Sequence, residues 1–116
     1  KVRTRITLLL PPPTTLAQHF LVDDILTELV RVCGGVTVSS ELPAVFNGWW
    51  FDPQDEQTKE DPNLLVIADA PLPLRDPDLA AYLDRLKLRC QRDFVQDIIW
   101  LTIHRVDRIT TGDYLR

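Results

Sequence analysis

His19 and Asp23 stand four residues apart. On a helix that spacing puts both side chains on one face, where they can hold a metal or pair a base with the acid that orients it. The other histidine, His104, is followed by Arg105, poor company for a cation, so a second ligand pair is missing and no metal centre is expected. His19, His104 and Asp69 are the candidate general acids or bases, with a solvated helix face as the plainer account of His19 and Asp23. Arg3, Arg5 and Arg105 would converge if the first and last strands are neighbours, and three guanidinium groups on one surface would hold a carboxylate or another anion. The preferred reading makes them edge charges that deter unwanted strand pairing. Trp49, Trp50, Phe51 and Trp100 are the candidate partner-contacting residues.

Several chemistries lack their residues. No Gly-rich phosphate loop, G-x-S-x-G or Walker pattern occurs, and four glycines leave little room for one. No cofactor is expected. Asp52, Asp55, Glu56, Glu60 and Asp61 do not follow the alternate-position calcium pattern with a central glycine. A formal net charge of -4 argues against nucleic acid, whose binding depends on neutralising phosphates, and against an anionic membrane surface. No apolar run approaches the roughly 18 residues that span a bilayer.

Cys33 and Cys90 lie on the apolar stripes of two expected helices and read as buried core residues. A disulfide would need those helices side by side, and neither cysteine has C-x-x-C spacing. Lys1 to Leu10 alternates like a strand and lacks a small-residue cleavage site, so it is not read as a signal peptide, and a reducing, cytoplasmic setting is expected.

The elements that must position these residues follow from periodicity. The 116 residues, 45% of them hydrophobic, fit one domain over 1–116. Val2, Thr4, Ile6, Leu8 and Leu10 repeat with the period of a strand buried on one face, and Pro11-Pro12-Pro13 ends its pairing. Thr15 to Gln18 forms a capping box. Val22, Ile25, Leu26, Leu29, Val30 and Cys33 make one helix face, and Gly34-Gly35 supplies the left-handed residue that stops it. Val36 to Ser39 is a short strand. Asn47-Gly48 marks a bend or hairpin tip, and the acidic residues 52–62, between Pro53 and Pro62, are expected as a mobile loop. Leu64 to Ala68, apolar on both faces, reads as a central strand. Asp76-Pro77-Asp78 starts a second helix that runs to about Arg92. Ile98 to Val106 closes the pattern as a strand with Ile99, Leu101 and Ile103 on one face, and 110–116 is a tail.

The order β-α-β-β-α-β with right-handed crossovers gives an α+β chain, the ferredoxin-like plait: a four-stranded antiparallel sheet with two helices on one face. Its uncovered face would carry Leu9, Ile98, Trp100, Val106 and alternate residues of Leu64 to Ala68. An apolar patch of that size marks an interface, so a homo-oligomer is expected, unless residues 44–51 fold back as a lid.

Gly35-Val36-Thr37 after the first helix, Gly48-Trp49, the acidic run and the strand and helix that follow resemble small plait proteins of the PII-like kind. The resemblance implies three chains packing their sheets into a barrel, with a long loop between the second and third strands reaching a ligand or partner. That family's nucleotide-binding glycine and basic motifs are replaced here by Pro71-Leu72-Pro73-Leu74-Arg75, so no binding residue is carried over. The function expected is a non-enzymatic, oligomeric binding or regulatory module that presents 47–63 to a protein partner. The alternatives are a small plait-fold enzyme with its acid/base site between the sheet and a partner chain, and an assembly factor that works by strand addition.

Overall fold

The computed structural model describes residues 2–39, 46–96 and 99–107, with 46–52, 60 and 61 described by their backbone alone. The elements are β1 (Val2–Leu10), α1 (Leu16–Cys33), β2 (Thr37–Val38), β3 (Phe46–Asp52), β4 (Gln57–Ala70), α2 (Pro77–Asp93) and β5 (Trp100–Asp107). Ile98 and the tail lie outside the described residues.

Alternation in β1 sets the frame. Thr4, Ile6, Leu8 and Leu10 are fully buried, while Arg3, Arg5, Thr7 and Leu9 are half-buried on the other face. β1 pairs antiparallel with β4 on one side, Ile6 opposite Ala68 and Leu8 opposite Val66. On the other side it pairs antiparallel with β5, Ile6 opposite Ile103 and Leu8 opposite Leu101. β2 adds to the far side of β4, again antiparallel, giving the order β2-β4-β1-β5. Val22, Ile25, Leu29 and Cys33 of α1 and Leu79, Tyr82, Leu83, Leu86 and Cys90 of α2 join Ile6, Leu8, Leu64 and Val66 in one core cluster. All the sheet residues in it belong to one face, so both helices cover that face. Burial of each large aliphatic side chain there is worth about 1.5–3 kcal/mol. Val30, expected on the buried stripe of α1, is instead 44% exposed.

The helix ends follow local chemistry. Thr15 Oγ1 accepts from the Gln18 amide at 3.2 Å. Gln18 Oε1 accepts from the Thr14 amide at 2.8 Å and the Thr14 hydroxyl at 2.9 Å, so the reciprocal arm of the capping box lands one residue before the cap. Gly34, at φ 86°, ends α1 as expected. Asp76 Oδ1 accepts from the amides of Asp78 and Leu79, with Pro77 at the first helical position. α2 ends without a glycine. The amide of Val95 donates to Arg92 O at 3.4 Å and that of Gln96 to Gln91 O at 3.0 Å, a Schellman pattern in which Val95 takes the left-handed position at φ 52°.

The acidic stretch departs from expectation. Residues 46–52 and 57–63 form an antiparallel hairpin, from Phe46 opposite Asn63 to Asp52 opposite Gln57. The tract expected as a loop over 52–62 is therefore mostly strand, and the chain reverses at Pro53–Glu56. Asn47-Gly48, expected at the tip, lies inside β3. In the turn, Asp55 Oδ1 accepts from the Gln57 amide at 3.1 Å and Asp55 Oδ2 is 2.9 Å from Lys59 Nζ. Glu56 sits at φ 56°. β1 stops at Pro11 while β4 begins seven residues before Leu64, its partner in the last β1 pair. The hairpin therefore extends past the four-stranded sheet. Among the described residues β3 is the one strand that pairs with 57–63, which leaves the other edge of that segment without a strand partner.

Two substitutions test local strain. Val95 is 89% exposed, so Val95→Gly removes a β-branched side chain from left-handed backbone with little packing loss. We expect a gain of about 0.5–1 kcal/mol, read as a higher urea midpoint at unchanged slope. The Tyr82 hydroxyl is buried with no hydrogen-bond partner. Tyr82→Phe is expected to stabilise by about 1 kcal/mol in the same measurement, and a loss would place a partner on that oxygen.

Candidate functional site

The face away from the helices is graded. Nearest the hairpin, Leu65, Leu9 and Trp100 form a row across β4, β1 and β5, with Trp100 61% exposed. Next come Ile67, Thr7 and Thr102, with Thr37 of β2 opposite Ile67. The third row is Asp69, Arg5 and His104, followed by Arg3 opposite Val106. Of the apolar residues expected on this face, Leu9, Leu65 and Trp100 gather at the hairpin end with Ile67 in the next row, while Val106 stands at the far end opposite Arg3.

Arg5 and Asp69 make a two-pronged pair, Nε to Oδ1 at 2.8 Å and Nη2 to Oδ2 at 3.1 Å. The hydrogen bonds from Arg5 hold the Asp69 carboxyl below its ordinary value of 3.8, with the charges of Arg5, Arg3 and His104 adding to the effect and partial desolvation opposing it. A carboxylate so held is a weak base at neutral pH. Arg3 Nη2 donates to Asp69 O at 3.0 Å and Cys33 O at 3.3 Å, tying β1 to the last turn of α1. These groups border a depression of about 860 Å³ at the end of the sheet where α1 stops, lined also by Gly34, Gly35, Val36, Ile67 and Val106.

Of the residues singled out from the sequence, Asp69 and His104 are brought together, on either side of Arg5. His19 is not. It lies on α1, in the helix layer over the other face. Arg3 and Arg5 converge on Asp69, but Arg105 is two positions along β5 from Ile103 and so shares that residue's core-side facing. It is 63% exposed, with its Nη2 3.6 Å from Asp107 Oδ1. Trp100 stands at the apolar end of the bare face, and Trp49, Trp50 and Phe51 lie in β3; the side chains of these three are outside the description. Cys33 and Cys90 are buried, free thiols. Burial raises both, Cys90 to about 11. The reach of Arg3 to the carbonyl of Cys33 had no signal in the sequence, because it depends on how the glycine pair closes α1 onto β2. Among the described residues no group of three metal-ligating side chains occurs, and no helix is long and apolar enough to cross a membrane.

No protein-family model matches the chain, and no curated protein does. Solved structures share its fold. CutA1 from Oryza sativa is similar over 95% of this chain and 85% of its own, at 13% identity and a TM-score of 0.59. A phage SAM lyase in complex with S-methyl-5'-thioadenosine is similar over 89% of this chain and 79% of its own, at 15% identity and a TM-score of 0.52. CutA1 is a PII-like protein of the ferredoxin-like fold, so the likeness to that kind holds at the level of fold.

The Arg5–Asp69 pair has a pH signature. Because the folded carboxyl titrates below 3.8, its contribution to stability is fully present above that value and is lost as pH falls below it through the lower value of the folded state. The side chains are 39% and 32% exposed, which limits the effect to about 0.5–1 kcal/mol. Urea unfolding of the wild type and Asp69→Asn at pH 7 and pH 3 should show the variant losing less stability on acidification, and equal losses would remove the pair's role.

Proposed function

We propose that the chain is a non-enzymatic, homo-oligomeric binding or regulatory module of the ferredoxin-like plait class, working in the cytoplasm as a single domain. Support for the plait comes from the antiparallel order β5-β1-β4-β2 and from the fold shared with CutA1. The observation that carries the oligomer is the row Leu65, Leu9 and Trp100. Trp100 is 61% exposed in the isolated chain, and a large aromatic on a bare sheet gains most when another copy covers it. The β3–β4 hairpin is the part offered to a protein partner. It reaches past the sheet, bears the acidic residues, and has one edge of 57–63 without a strand partner among the described residues, an edge to which an extended segment can add.

A second reading, a small plait-fold enzyme, is favoured by one observation. Asp69, Arg5 and His104 share a row, of which Asp69 and Arg5 line a depression large enough for a metabolite, and a phage SAM lyase has the same fold. Against it, Arg5 keeps Asp69 ionised and weakly basic, which leaves His104 as the base.

Light scattering on size-separated protein tests the main reading. The wild type is expected to run as an oligomer at micromolar concentration. Trp100→Lys is expected to weaken association by about 10- to 100-fold, roughly 1.4–2.7 kcal/mol. A wild type that stays monomeric across a hundredfold concentration range would sink the proposal.

A further inference from the structure

Arg3 differs from the other two strand arginines discussed above. Arg5 is engaged by both oxygens of Asp69, and Arg105 has Asp107 beside it. Arg3 makes its two hydrogen bonds to backbone carbonyls, both from Nη2. Among the described residues no carboxylate lies within ion-pair distance of it, and its Nε and Nη1 hydrogens have no acceptor. Those two carbonyls, one of them on the last residue of α1, fix the guanidinium plane at low entropic cost. The group is half-buried and faces the 860 Å³ depression.

The lining restricts what fits there. Arg5 and Asp69 cancel one another, and Asp107 has Arg105 3.6 Å away just outside the lining, so Arg3 is the guanidinium in the depression that no described carboxylate engages. A ligand with two negative charges would meet the carboxylates of Asp69 and Asp107, both in the lining. Val36, Ile67 and Val106 supply apolar wall, as expected of a pocket that holds the body of a small molecule while a few polar groups fix its head. We infer that the depression binds a small organic acid with a single carboxylate, its head on Arg3 and its apolar body against Val36, Ile67 and Val106. This deepens the reading of the chain as a binding module, and rests on it, by giving that module a ligand class.

Benzoate is the probe, with benzyl alcohol as its uncharged analogue and phenyl phosphate as its dianionic one. Calorimetric titration of the full chain should show saturable benzoate binding at least about tenfold tighter than either analogue, the scale of one charge-assisted hydrogen bond. Arg3→Gln should weaken it by about tenfold or more while leaving a side-chain amide for the carbonyls. Because Arg3 also fastens β1 to α1, Thr37→Glu is the second variant. Thr37 is exposed and lines the depression, and a carboxylate there should abolish binding without touching Arg3. In amide spectra of the wild type, benzoate should shift Gly34, Gly35 and Val36.

No saturable binding, binding unchanged in both variants, shifts elsewhere, or a preference for phenyl phosphate would each overturn the inference. Light scattering on the same samples separates the two ideas. An intact oligomer that ignores benzoate removes the carboxylate site alone, and a monomer that binds it removes the oligomer alone.

Discussion

β1 is hydrogen-bonded on both sides, and its register against β4 and β5 is the constraint on which the rest depends. Side chains alternate faces, so a slip of one residue would bring Arg5, Thr7 and Leu9 inward in place of Ile6, Leu8 and Leu10. It would bury a guanidinium among aliphatic side chains, at a cost no contact there offsets. The same register that seals the core aligns Arg5 with Asp69 and His104. The charged row on the bare face is therefore a by-product of how the hydrophobic face was fixed.

The two ends of the sheet differ in charge, one strongly acidic and the other lined by balanced arginines and aspartates. Residues 52–61 hold five carboxylates and one lysine, which equals the whole chain's net charge of -4, so the remainder is balanced. At physiological ionic strength charges are screened within about 8 Å. β4 spans roughly 45 Å at about 3.3 Å per residue, in a molecule whose long axis is 53 Å. The acidic turn consequently has little influence on the Arg3 depression at the far end, and each end can meet a partner of its own charge preference.

Much of the framework was legible in the sequence because it rests on short-range chemistry: the alternation of β1, the glycine stop after Cys33, and the Asp76-Pro77-Asp78 start. The hairpin was not. Asn47-Gly48 is the strongest short turn signal in the chain and acidic residues are scarce in strands, but backbone pairing between 46–52 and 57–63 prevails, and a hairpin beyond the core has no need of an apolar face. Val95 was equally hidden, since nothing in its type announces left-handed backbone. Of the candidate site, Asp69 and His104 could be named from residue type. Their meeting across Arg5 depends on strand register, which pairs residues more than sixty positions apart.

The proline triplet after Leu10 has a consequence for how this architecture can vary. Since β1 ends there and β4 starts well before its first β1 partner, the projecting arm makes no pairing with β1 and stands outside the core beneath the helices. Adding or removing two residues from each side of the arm would change its reach by about 7 Å, preserve which way every remaining side chain points, and leave Ile6 against Ala68 undisturbed. Reach is thus free to drift between descendants while the interior stays fixed.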